Sequence, residues 1–548
     1  MNSIRGTNDL GSIPETGLFS WLATASRDDP NREALISRED HHVTAVTLRE
    51  LVSKSLSFAT GLQSIGVTDG STVAIWLPNQ IEWMVTQFAC SAIGAAVLGL
   101  NTRYKSFELT HLLGVVPLQA VILPSDFMGI DFVGSLKNAL ERRLNADSSF
   151  QIPSLIFVGD VPERATVIGA NAVRYEDLTA LHELKDWRDH ASAISNLFAT
   201  SGSTSTPKVA GHDQASTLHH AFATANALGV RQSDRILAAL PLCGVFGFNS
   251  VMAVLSGGGA ALLVQSFDTN EATRHLCESA ITHVVGGDEM LWAMFTAIPD
   301  HVQLPTLRRG GVANFAGRAK AVVELAQDRW GVSISGVYGS SELFALTAIW
   351  PEAADLSLRC LQGGLPVEQG IEVRVIDSDT LQPVSPGEVG ELQFKGYNVI
   401  DGYVNNPEAT RDAFTSDGWF CSGDLGHLAS GGFVFQCRVR EVLRLKGFLV
   451  EPGEIEDFFT LEATIDEVHV VGVDTETGTK VVAFVRPQSG CSVDEVMLIE
   501  RAKHDLAAFK VPERVIEVSE FPTTFGTNGA KVRVDVLRES ARAILNLI

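Results

Sequence analysis

Short apolar runs alternate with helical stretches in the first half of the chain, and this alternation most limits the folds open to it. A buried strand is predicted at 72–77, a helix with apolar residues at helical spacing at 79–97, and further short apolar strands at 120–123, 155–158 and 260–264. Strands and helices in such alternation are typical of parallel sheets covered by helices. The pattern therefore predicts α/β architecture.

The pattern changes from about residue 363. Apolar and charged residues alternate over 371–375, as in a strand with one face in water, and 387–396 is a second strand candidate. These segments predict a small β-rich subdomain at about 363–438. A compact α+β tail follows, with a helix at 452–459, strands at 468–473 and 481–486, and a helix at 493–508.

Length and composition restrict the class of protein. A chain of 548 residues implies roughly two to four folding units. The net charge of -23 is spread along the chain and disfavours a nucleic-acid partner, and the seven cysteines include no C-x-x-C pair. The longest near-apolar run, 88–100, is shorter than the ~20 residues of a membrane span and is predicted to be a core helix. With no apolar core of a signal peptide at the start, we expect a cytoplasmic protein.

The segment 200–208 places six hydroxyl side chains, Gly202 and Lys208 in nine residues. Hydroxyls and backbone N–H groups bind anionic oxygens, glycine permits close approach, and lysine adds positive charge. The spacing of a Walker P-loop is absent. Such runs are usually flexible linkers, but the strand predicted at 194–199 enters this one and favours a phosphate-binding loop.

Four further segments carry candidate chemistry. Tyr338 and Glu342 lie in 336–342, a predicted strand-to-loop turn, and Asp424 is expected on a turn within 418–425. A segment rich in charged residues covers 438–456, and Lys531 is expected at the tip of a Gly/Asn loop that begins at Thr524. Taken singly, these residues are as easily explained as a core tyrosine, a solvated carboxylate, a turn-forming aspartate and a surface lysine.

In this order, the segments resemble the adenylate-forming superfamily, which includes acyl-CoA synthetases, peptide-synthetase adenylation domains and firefly-type luciferases. The resemblance runs from about residue 47 to 538 and includes 74–79, 100–104, the loop at 200–208, 338–342, 402–410 and 418–424. The stretch 100–104 is most similar to the acyl-CoA synthetase branch. The resemblance implies an N-terminal AMP-binding domain at 1–438, a hinge at Arg440 and a mobile C-terminal domain at 441–548.

The resemblance also implies a nucleotide site. Asp424 and Arg438 match the residues that hold the ribose hydroxyls, and Tyr338 matches a wall of the adenine pocket. Glu342 and Thr204 match residues associated with Mg²⁺. The implied nucleotide-binding set is Ser201, Gly202, Ser203, Thr204, Gly311, Val312, Ala313, Tyr338, Gly339, Ser340, Ser341, Asp424 and Arg438.

The reaction that the resemblance implies has two halves. A carboxylate first attacks the α-phosphorus of ATP to give acyl-AMP and pyrophosphate, and the thiol of coenzyme A then displaces AMP. Lys208, Lys531 and Mg²⁺, which Glu342 would help to hold, would neutralise the charge that develops in the first half. Rotation of the C-terminal domain would present Lys446 and Gly447 to the thiol in the second.

Three departures from the family pattern stand out. Ser205 replaces a usual glycine of the phosphate loop, and Ala530 lengthens the loop before Lys531. Gly244 stands where acyl-CoA synthetases frequently keep a histidine. The missing side chain, together with Gly286-Gly287, motivates the hypothesis of a bulky or branched acyl group, in a pocket that comprises Gly244, Phe246, Gly247, Gly286 and Gly336. Alternatively, the ring of Phe246 or Phe248 fills the gap.

Three alternatives to a complete ligase stay open. Because Ser205 and the longer Lys531 loop bear on the first half-reaction, the enzyme could use preformed acyl-AMP with weak or absent adenylation. A stand-alone adenylation enzyme that loads a carrier protein would share the same motifs. A non-enzymatic protein would bind acyl nucleotides without turnover. The acyl region offers no clear aspartate for an α-ammonium group, which favours a carboxylic acid over an amino acid.

Overall fold

A computed structural model describes residues 3–13, 15–39, 42–200, 207–315, 318–377, 380–438, 443–446, 448–450, 452–475, 478–526 and 529–545. The strands up to residue 438 are β1 (Ser3–Arg5), β2 (Glu33–Glu39), β3 (His42–Thr47), β4 (Thr72–Ile75), β5 (Ala96–Gly99), β6 (Ala120–Pro124), β7 (Ser154–Val158), β8 (Ala172–Arg174), β9 (Ile194–Thr200), β10 (Lys208–Asp213), β11 (Arg235–Ala238), β12 (Ala260–Leu263), β13 (His283–Gly287), β14 (Arg309–Ala313), β15 (Ser333–Tyr338), β16 (Ala348–Ile349), β17 (Gly363–Pro366), β18 (Glu372–Ile376), β19 (Gly390–Lys395), β20 (Phe420–Ala429) and β21 (Gly432–Arg438).

The helices of the same part are α1 (Leu18–Asp28), α2 (Leu48–Ser64), α3 (Ile81–Ala92), α4 (Ser106–Val115), α5 (Phe132–Ala146), α6 (Tyr175–Thr179), α7 (Gln214–Leu228), α8 (Val245–Ser256), α9 (Thr269–Glu278), α10 (Asp288–Ala297), α11 (Ala319–Trp330), α12 (Leu356–Arg359) and α13 (Pro407–Ala413), with a 3-10 helix at Glu163–Ile168. The C-terminal part contains β22 (Leu443–Leu445), β23 (Phe448–Val450), α14 (Pro452–Thr460), β24 (Ile465–Thr475), β25 (Gly478–Pro487), α15 (Glu495–Asp505), β26 (Arg514–Glu517), β27 (Thr523–Gly526), β28 (Gly529–Val532) and α16 (Val534–Ile544).

Two large sheets build the N-terminal domain. The described strands of the first follow the order β1-β18-β19-β20-β21-β17-β16-β15-β14-β13-β11-β12-β2-β3, and those of the second follow β10-β9-β5-β4-β6-β7-β8. Strands β15, β14, β13, β11, β12 and β2 run parallel, whereas β15 to β21 extend the same sheet through antiparallel pairs. The expected α/β architecture with a small C-terminal domain is confirmed.

The buried strands explain the apolar runs of the sequence. All residues of β6 and β12 are buried, as expected for parallel strands covered on both faces. The turn into α7 is specified locally, because Asp213 at the end of β10 caps the helix by accepting a hydrogen bond from the Ser216 N–H at 2.7 Å. This cap fixes the angle between two elements that carry histidines of the site.

The helix predicted at 79–97 is wrong after Ala92, and so is the core helix predicted at 88–100. Helix α3 ends at Ala92, and the chain then turns through Gly94, which has a φ of +72°, into strand β5. Glycine adopts this left-handed conformation without the steric penalty of a Cβ atom. Helix and strand are both buried here, so apolar content alone could not separate them.

The predicted C-terminal elements are confirmed within a few residues. Strands β24, β25 and β26 form a sheet, and α14, α15 and the strands share a hydrophobic core of their own. Phe107 of α4 packs against that core, so the small domain is docked on the large one. Among the described helices, none combines the length and the apolar character that crossing a membrane requires.

Candidate active site

Three adjacent parallel strands end at one edge of the first sheet. Gly286 of β13 pairs with Val312 of β14, and Val312 pairs with Gly336 of β15. Ligands in α/β proteins bind beyond the carboxyl ends of such strands. The fold therefore brings together the segments Gly311 to Ala313 and Gly336 to Tyr338, which the sequence assigned to the adenine and acyl pockets.

Tyr338 and Asp424, 86 residues apart in sequence, meet beside this edge. The Tyr338 hydroxyl donates a hydrogen bond to Asp424 Oδ2 at 2.7 Å, and the two residues are 6% and 4% exposed. The Tyr338 ring stacks on Phe394, with ring centroids 5.3 Å apart and planes inclined by 12°. The carboxylate is thus held by a hydroxyl whose own position is fixed by aromatic packing.

Asp424 does not lie on a turn, as the sequence suggested, but inside strand β20, where Gly423 has a φ of +68°. The pairing with β21 shifts register just after it, between Leu425 and Gly426. A break of this kind redirects a side chain out of the regular pleat. The backbones of Asp424 and Arg438 are paired directly across the two strands. This pairing suits two residues that bind the same ligand.

Glu342 and Lys208 are linked through Tyr403. The Tyr403 hydroxyl donates to Glu342 Oε1 at 3.0 Å, and the Lys208 ammonium nitrogen lies 4.8 Å from the centroid of the Tyr403 ring. Lys208 comes from the second sheet, so the contact connects that sheet with the loop between β19 and α13 that carries Tyr403. Mg²⁺ at nucleotide sites commonly takes one or two carboxylates plus phosphate oxygens, and Glu342 fits that donor set. The sequence had placed Tyr403 in a family motif without giving it a role.

Several buried polar atoms at this edge have no hydrogen-bond partner among the described residues. They include Ser340 Oγ, Thr200 Oγ1 and Gln362 Nε2. Gln362 Oε1 accepts a hydrogen bond from the Asn314 N–H at 3.0 Å, directly after β14. Buried polar groups in proteins are nearly always satisfied, so these atoms suit a site that binds a polar ligand such as a nucleotide.

A left-handed turn after Glu342 was not foreseen from the sequence. Phe344, Ala345 and Leu346 have φ values of +60°, +50° and +42°. Each such residue costs of order 1 kcal/mol, so the turn requires support from its surroundings. His212 Nε2 donates to the Ser341 carbonyl at 2.7 Å, and His220 Nε2 donates to the Ala345 carbonyl at 2.8 Å. These histidines, on β10 and α7, hold the segment that carries Glu342.

The two histidines predict a loss of stability in mild acid. Burial lowers the pKa of His212 to about 4 and that of His220 to about 3. Unfolded histidine titrates near 6.5, so unfolding takes up protons below that pH and stability falls as the pH is lowered. Between pH 6.5 and 5 we expect the free energy of unfolding to fall by about 2 kcal/mol per histidine. Calorimetric unfolding over pH 5 to 7.5 measures this slope.

Two variants separate the buried histidines from the others. His220→Gln should reduce the proton uptake on unfolding by close to one proton, because it removes one buried titrating group. His504→Gln is the matched control, since the His504 side chain is 71% exposed. An unchanged pH slope in His220→Gln would contradict the assignment.

The glycines of the acyl pocket differ in the space around them. A Cβ atom on Gly244 would meet only the Pro241 carbonyl oxygen, at 3.5 Å. At Gly286 the Met290 methyl group occupies the position that a Cβ atom would take. At Gly287 an added Cβ atom would lie 2.9 Å from the Phe315 ring. A Cβ atom can therefore be accommodated at Gly244 but not at Gly286 or Gly287 without a shift of Met290 or Phe315.

At Gly247 and Gly336, close backbone packing leaves no room for a side chain. A Cβ on Gly247 would collide with the Leu240 and Pro241 carbonyls, and one on Gly336 with the Leu361 carbonyl. They allow close packing of the backbone and leave no open volume for an acyl group. Gly247 on α8 and Gly336 on β15 nevertheless lie beside the site.

Neither phenylalanine ring reaches the position that a Cβ on Gly244 would take. Among the described side chains, no ring atom lies within 4 Å of the position of its missing Cβ. Phe248 is fully buried and packs against Trp83 and Phe198, with ring centroids 5.6 Å and 6.0 Å away. Phe246 is partly buried against the same core. The alternative in which one of these rings fills the space further from the backbone stays open.

Several of the expected site residues lie outside the described part of the chain. Ser201, Gly202, Ser203, Thr204 and Ser205 lie outside the described residues, as do Arg440 and Gly447, and the side chains of Arg438 and Lys531 are not described. Lys446 is exposed in the turn after β22, with a φ of +49°. The Lys531 backbone lies in β28 opposite Thr524, not at the tip of the loop, because Gly526 and Gly529 pair beyond it. The roles of all these residues stay predictions.

Comparison with known proteins defines the class. A family model described as AMP-binding enzyme matches residues 22–404, and one described as AMP-binding enzyme C-terminal domain matches 454–525. The chain therefore belongs to the AMP-binding enzyme family, and with its relatives it falls among the AMP-forming acid–thiol ligases of the acyl-CoA synthetase type.

The relatives span almost the whole chain at low identity. The putative acyl-CoA synthetase YngI of Bacillus subtilis is 28% identical over 94% of this chain and 96% of its own. The 2-succinylbenzoate–CoA ligase of Geobacillus kaustophilus is 29% identical over 92% of this chain and 95% of its own. Among solved structures, the o-succinylbenzoate CoA synthetase of Bacillus subtilis superposes with a TM-score of 0.77 at 22% identity, covering 95% of this chain and 98% of that one. The amide bond synthetase McbA of Marinactinospora thermotolerans gives 0.78 at 22% identity, covering 95% and 99%.

Proposed function

We propose that this ligase activates a carboxylic acid with a bulky or branched acyl group as acyl-AMP and transfers the acyl group to coenzyme A. The observation that carries the proposal is the contact between Tyr338 and Asp424 beside the carboxyl ends of the parallel strands. Gly244 follows β11, which runs parallel to β13, and has room for a side chain there. A ribose clasped by the carboxylate would leave the acyl group directed toward that space.

The first half-reaction is assigned to the Glu342 side of the edge. Asp424 accepts hydrogen bonds from the ribose hydroxyls and is held in place by Tyr338. Mg²⁺, when bound, neutralises charge on the phosphates, and Glu342 would hold it together with Thr204. Lys208 and Lys531 supply the remaining positive charge as the carboxylate attacks the α-phosphorus.

The second half-reaction is assigned to the C-terminal domain. We place the domain boundary after residue 438 and the hinge at Arg440, so that the hairpin with Lys446 and Gly447 serves the thiol side. Domain movement of this kind completes one site for two reactions in turn.

The described cysteines are free, which agrees with a reducing cytoplasm.

A direct assay tests the proposal. The enzyme is incubated with ATP, Mg²⁺, coenzyme A and a panel of straight-chain, branched and cyclic acids, and AMP and acyl-CoA are measured by mass spectrometry. We expect the highest kcat/KM with a branched or cyclic acid. Thioester formation only from synthetic acyl-AMP, or only with a pantetheinylated carrier protein, would contradict the complete ligase.

Filling the space beside Gly244 tests the acyl assignment. Gly244 has φ -99° and ψ 141°, which any residue adopts, so Gly244→Val should fold normally. We expect kcat/KM for the preferred bulky acid to fall about 10- to 100-fold, since small changes in pocket volume discriminate substrates on this scale. The rate with acetate should change little. Parallel kinetics with both acids measure the ratio, and an equal loss for the two would contradict the pocket assignment.

A further inference from the structure

A buried ion cluster joins the two domains. Lys510 of the C-terminal domain is 5% exposed, and its ammonium nitrogen lies 2.8 Å from Glu454 Oε2 and 3.5 Å from Glu108 Oε1. Glu454 belongs to α14 of the same domain, whereas Glu108 belongs to α4 of the large domain. One cation is therefore shared by two buried carboxylates from different domains.

Glu108 is held in place independently of Lys510. Its Oε2 atom accepts a hydrogen bond from the Lys105 N–H at 3.1 Å, at the start of α4. Its Oε1 atom also accepts from the Ala507 N–H of the C-terminal domain at 3.0 Å. The Glu108 carboxylate thus has a fixed position on α4, where it binds both an ammonium group and a backbone N–H of the other domain.

Charge balance makes the cluster dependent on its cation. Burial alone would lower the pKa of Lys510, but Glu454 and Glu108 more than offset this effect, and the pKa lies above its usual value. Without the ammonium group, two buried carboxylates would face each other. Breaking a buried pair by removing one partner is much more destabilising than losing an exposed pair.

The same contact fixes the hairpin that carries Lys446. Phe509, next to Lys510, stacks on Phe448 of β23 with ring centroids 4.3 Å apart and planes inclined by 15°. The Arg103 guanidinium of the large domain lies 5.9 Å from the centroid of the Phe448 ring. The bridge between Lys510 and Glu108 of α4 therefore determines where the turn with Lys446 lies relative to the large domain.

The cluster is also linked through Tyr104 to residues 241–244, the loop before α8 that we call the acyl loop. The Lys510 ammonium nitrogen lies 5.8 Å from the centroid of the Tyr104 ring. Burial raises the pKa of the Tyr104 hydroxyl, and both Lys510 and Cys243 are among the neighbouring groups that act on it. Cys243 directly precedes Gly244. Tyr104 therefore contacts the domain junction through Lys510 and lies close enough to Cys243 for the two side chains to interact electrostatically.

We propose that Lys510 and Glu108 are positioning residues for the acyl-transfer half-reaction: their bridge docks the C-terminal domain on α4 and places the Lys446 hairpin beside the acyl loop. The proposal rests on the proposed function, because it assigns the bridge to one half of that reaction. The bridge does not touch the reacting atoms, so its loss misplaces the hairpin without removing a reacting group.

Two half-reaction assays and hydrogen exchange test the bridge. Lys510→Met removes the cation at similar length, and Glu108→Gln keeps an oxygen that accepts from the Ala507 N–H. We expect thioester formation from synthetic octanoyl-AMP, cyclohexanecarbonyl-AMP or phenylacetyl-AMP to fall about 10- to 100-fold in Lys510→Met, a size typical of small misplacements. Pyrophosphate exchange should stay within about threefold of wild type, since that half-reaction is assigned to residues of the nucleotide edge and to Lys531, none of which belongs to the bridge. Hydrogen exchange of α4 and α14 should accelerate, with β13 to β15 unchanged.

Lys503→Met is the matched control, because the Lys503 side chain is 58% exposed and pairs with Glu500 on the surface of the same domain. Lys510→Arg should recover part of the lost transfer rate. If Lys510→Met does not fold, the smaller change in Glu108→Gln carries the test. Equal losses in both half-reactions, or unchanged exchange of α4 and α14 in both variants, would overturn the proposal. A wild-type enzyme that transfers no acyl group to coenzyme A would instead overturn the proposed function, while the exchange comparison still decides the docking.

Discussion

Asp424→Ala is expected to lower kcat/KM for ATP by about two to three orders of magnitude. The variant removes a buried acceptor for two ribose hydroxyls, and hydrogen bonds to charged groups contribute about 1.5 to 3 kcal/mol each. Because the Tyr338 hydroxyl also loses its acceptor, some of the effect will be a reorganised pocket. Initial rates over a range of ATP concentrations measure the change, and thermal unfolding checks that the fold is retained.

Tyr338→Phe is the matched control for this prediction. It removes the hydrogen bond to Asp424 but keeps the ring that stacks on Phe394. We expect a loss of about tenfold or less, because one neutral donor is removed and the carboxylate stays. An Asp424→Ala enzyme within threefold of wild type would show that the ribose is held elsewhere.

Glu342→Gln is expected to lower the rate of adenylation about 100- to 1,000-fold, a size typical of losing one electrostatic contact to a transition state. The amide keeps an oxygen that can accept from the Tyr403 hydroxyl, so the local packing should persist. The charge that would hold Mg²⁺ is lost. Pyrophosphate exchange over a range of Mg²⁺ concentrations measures the effect, and higher concentrations should recover part of the rate.

Two comparisons make the second prediction specific. Tyr403→Phe keeps the carboxylate and should lower the exchange rate only a few-fold, since it removes one hydrogen bond. Thioester formation from synthetic acyl-AMP should be nearly unchanged in Glu342→Gln, because pyrophosphate is already absent. A loss of equal size in both half-reactions would assign Glu342 to packing and not to the phosphates.

The fold and the strand edge of the site could be predicted from the sequence for clear physical reasons. Buried parallel strands such as β6 and β12 leave continuous apolar runs, and these are recognisable without a structure. The failure at 79–97 has an equally clear cause, because α3 and β5 are both buried and only Gly94 marks their boundary. Tyr338 and Asp424 were paired by family resemblance, since no local pattern relates residues so far apart.

Contacts between distant elements could not be predicted. The support that His212 and His220 give to the turn after Glu342 depends on two other elements meeting it in space. Met290 fills the space beside Gly286 only because α10 follows β13 at a particular angle. Lys510 carries no local signal either, because its significance arises from the carboxylate of another domain.

A crystal structure of the enzyme with a non-hydrolysable acyl-AMP mimic tests the central claim most directly. The account predicts that both ribose hydroxyls lie within hydrogen-bond distance of Asp424, with adenine beside Tyr338 and the acyl group directed toward Gly244. Adenosine bound away from the carboxyl ends of β13 to β15, or an acyl group leaving the site on the side of Phe394, would contradict it.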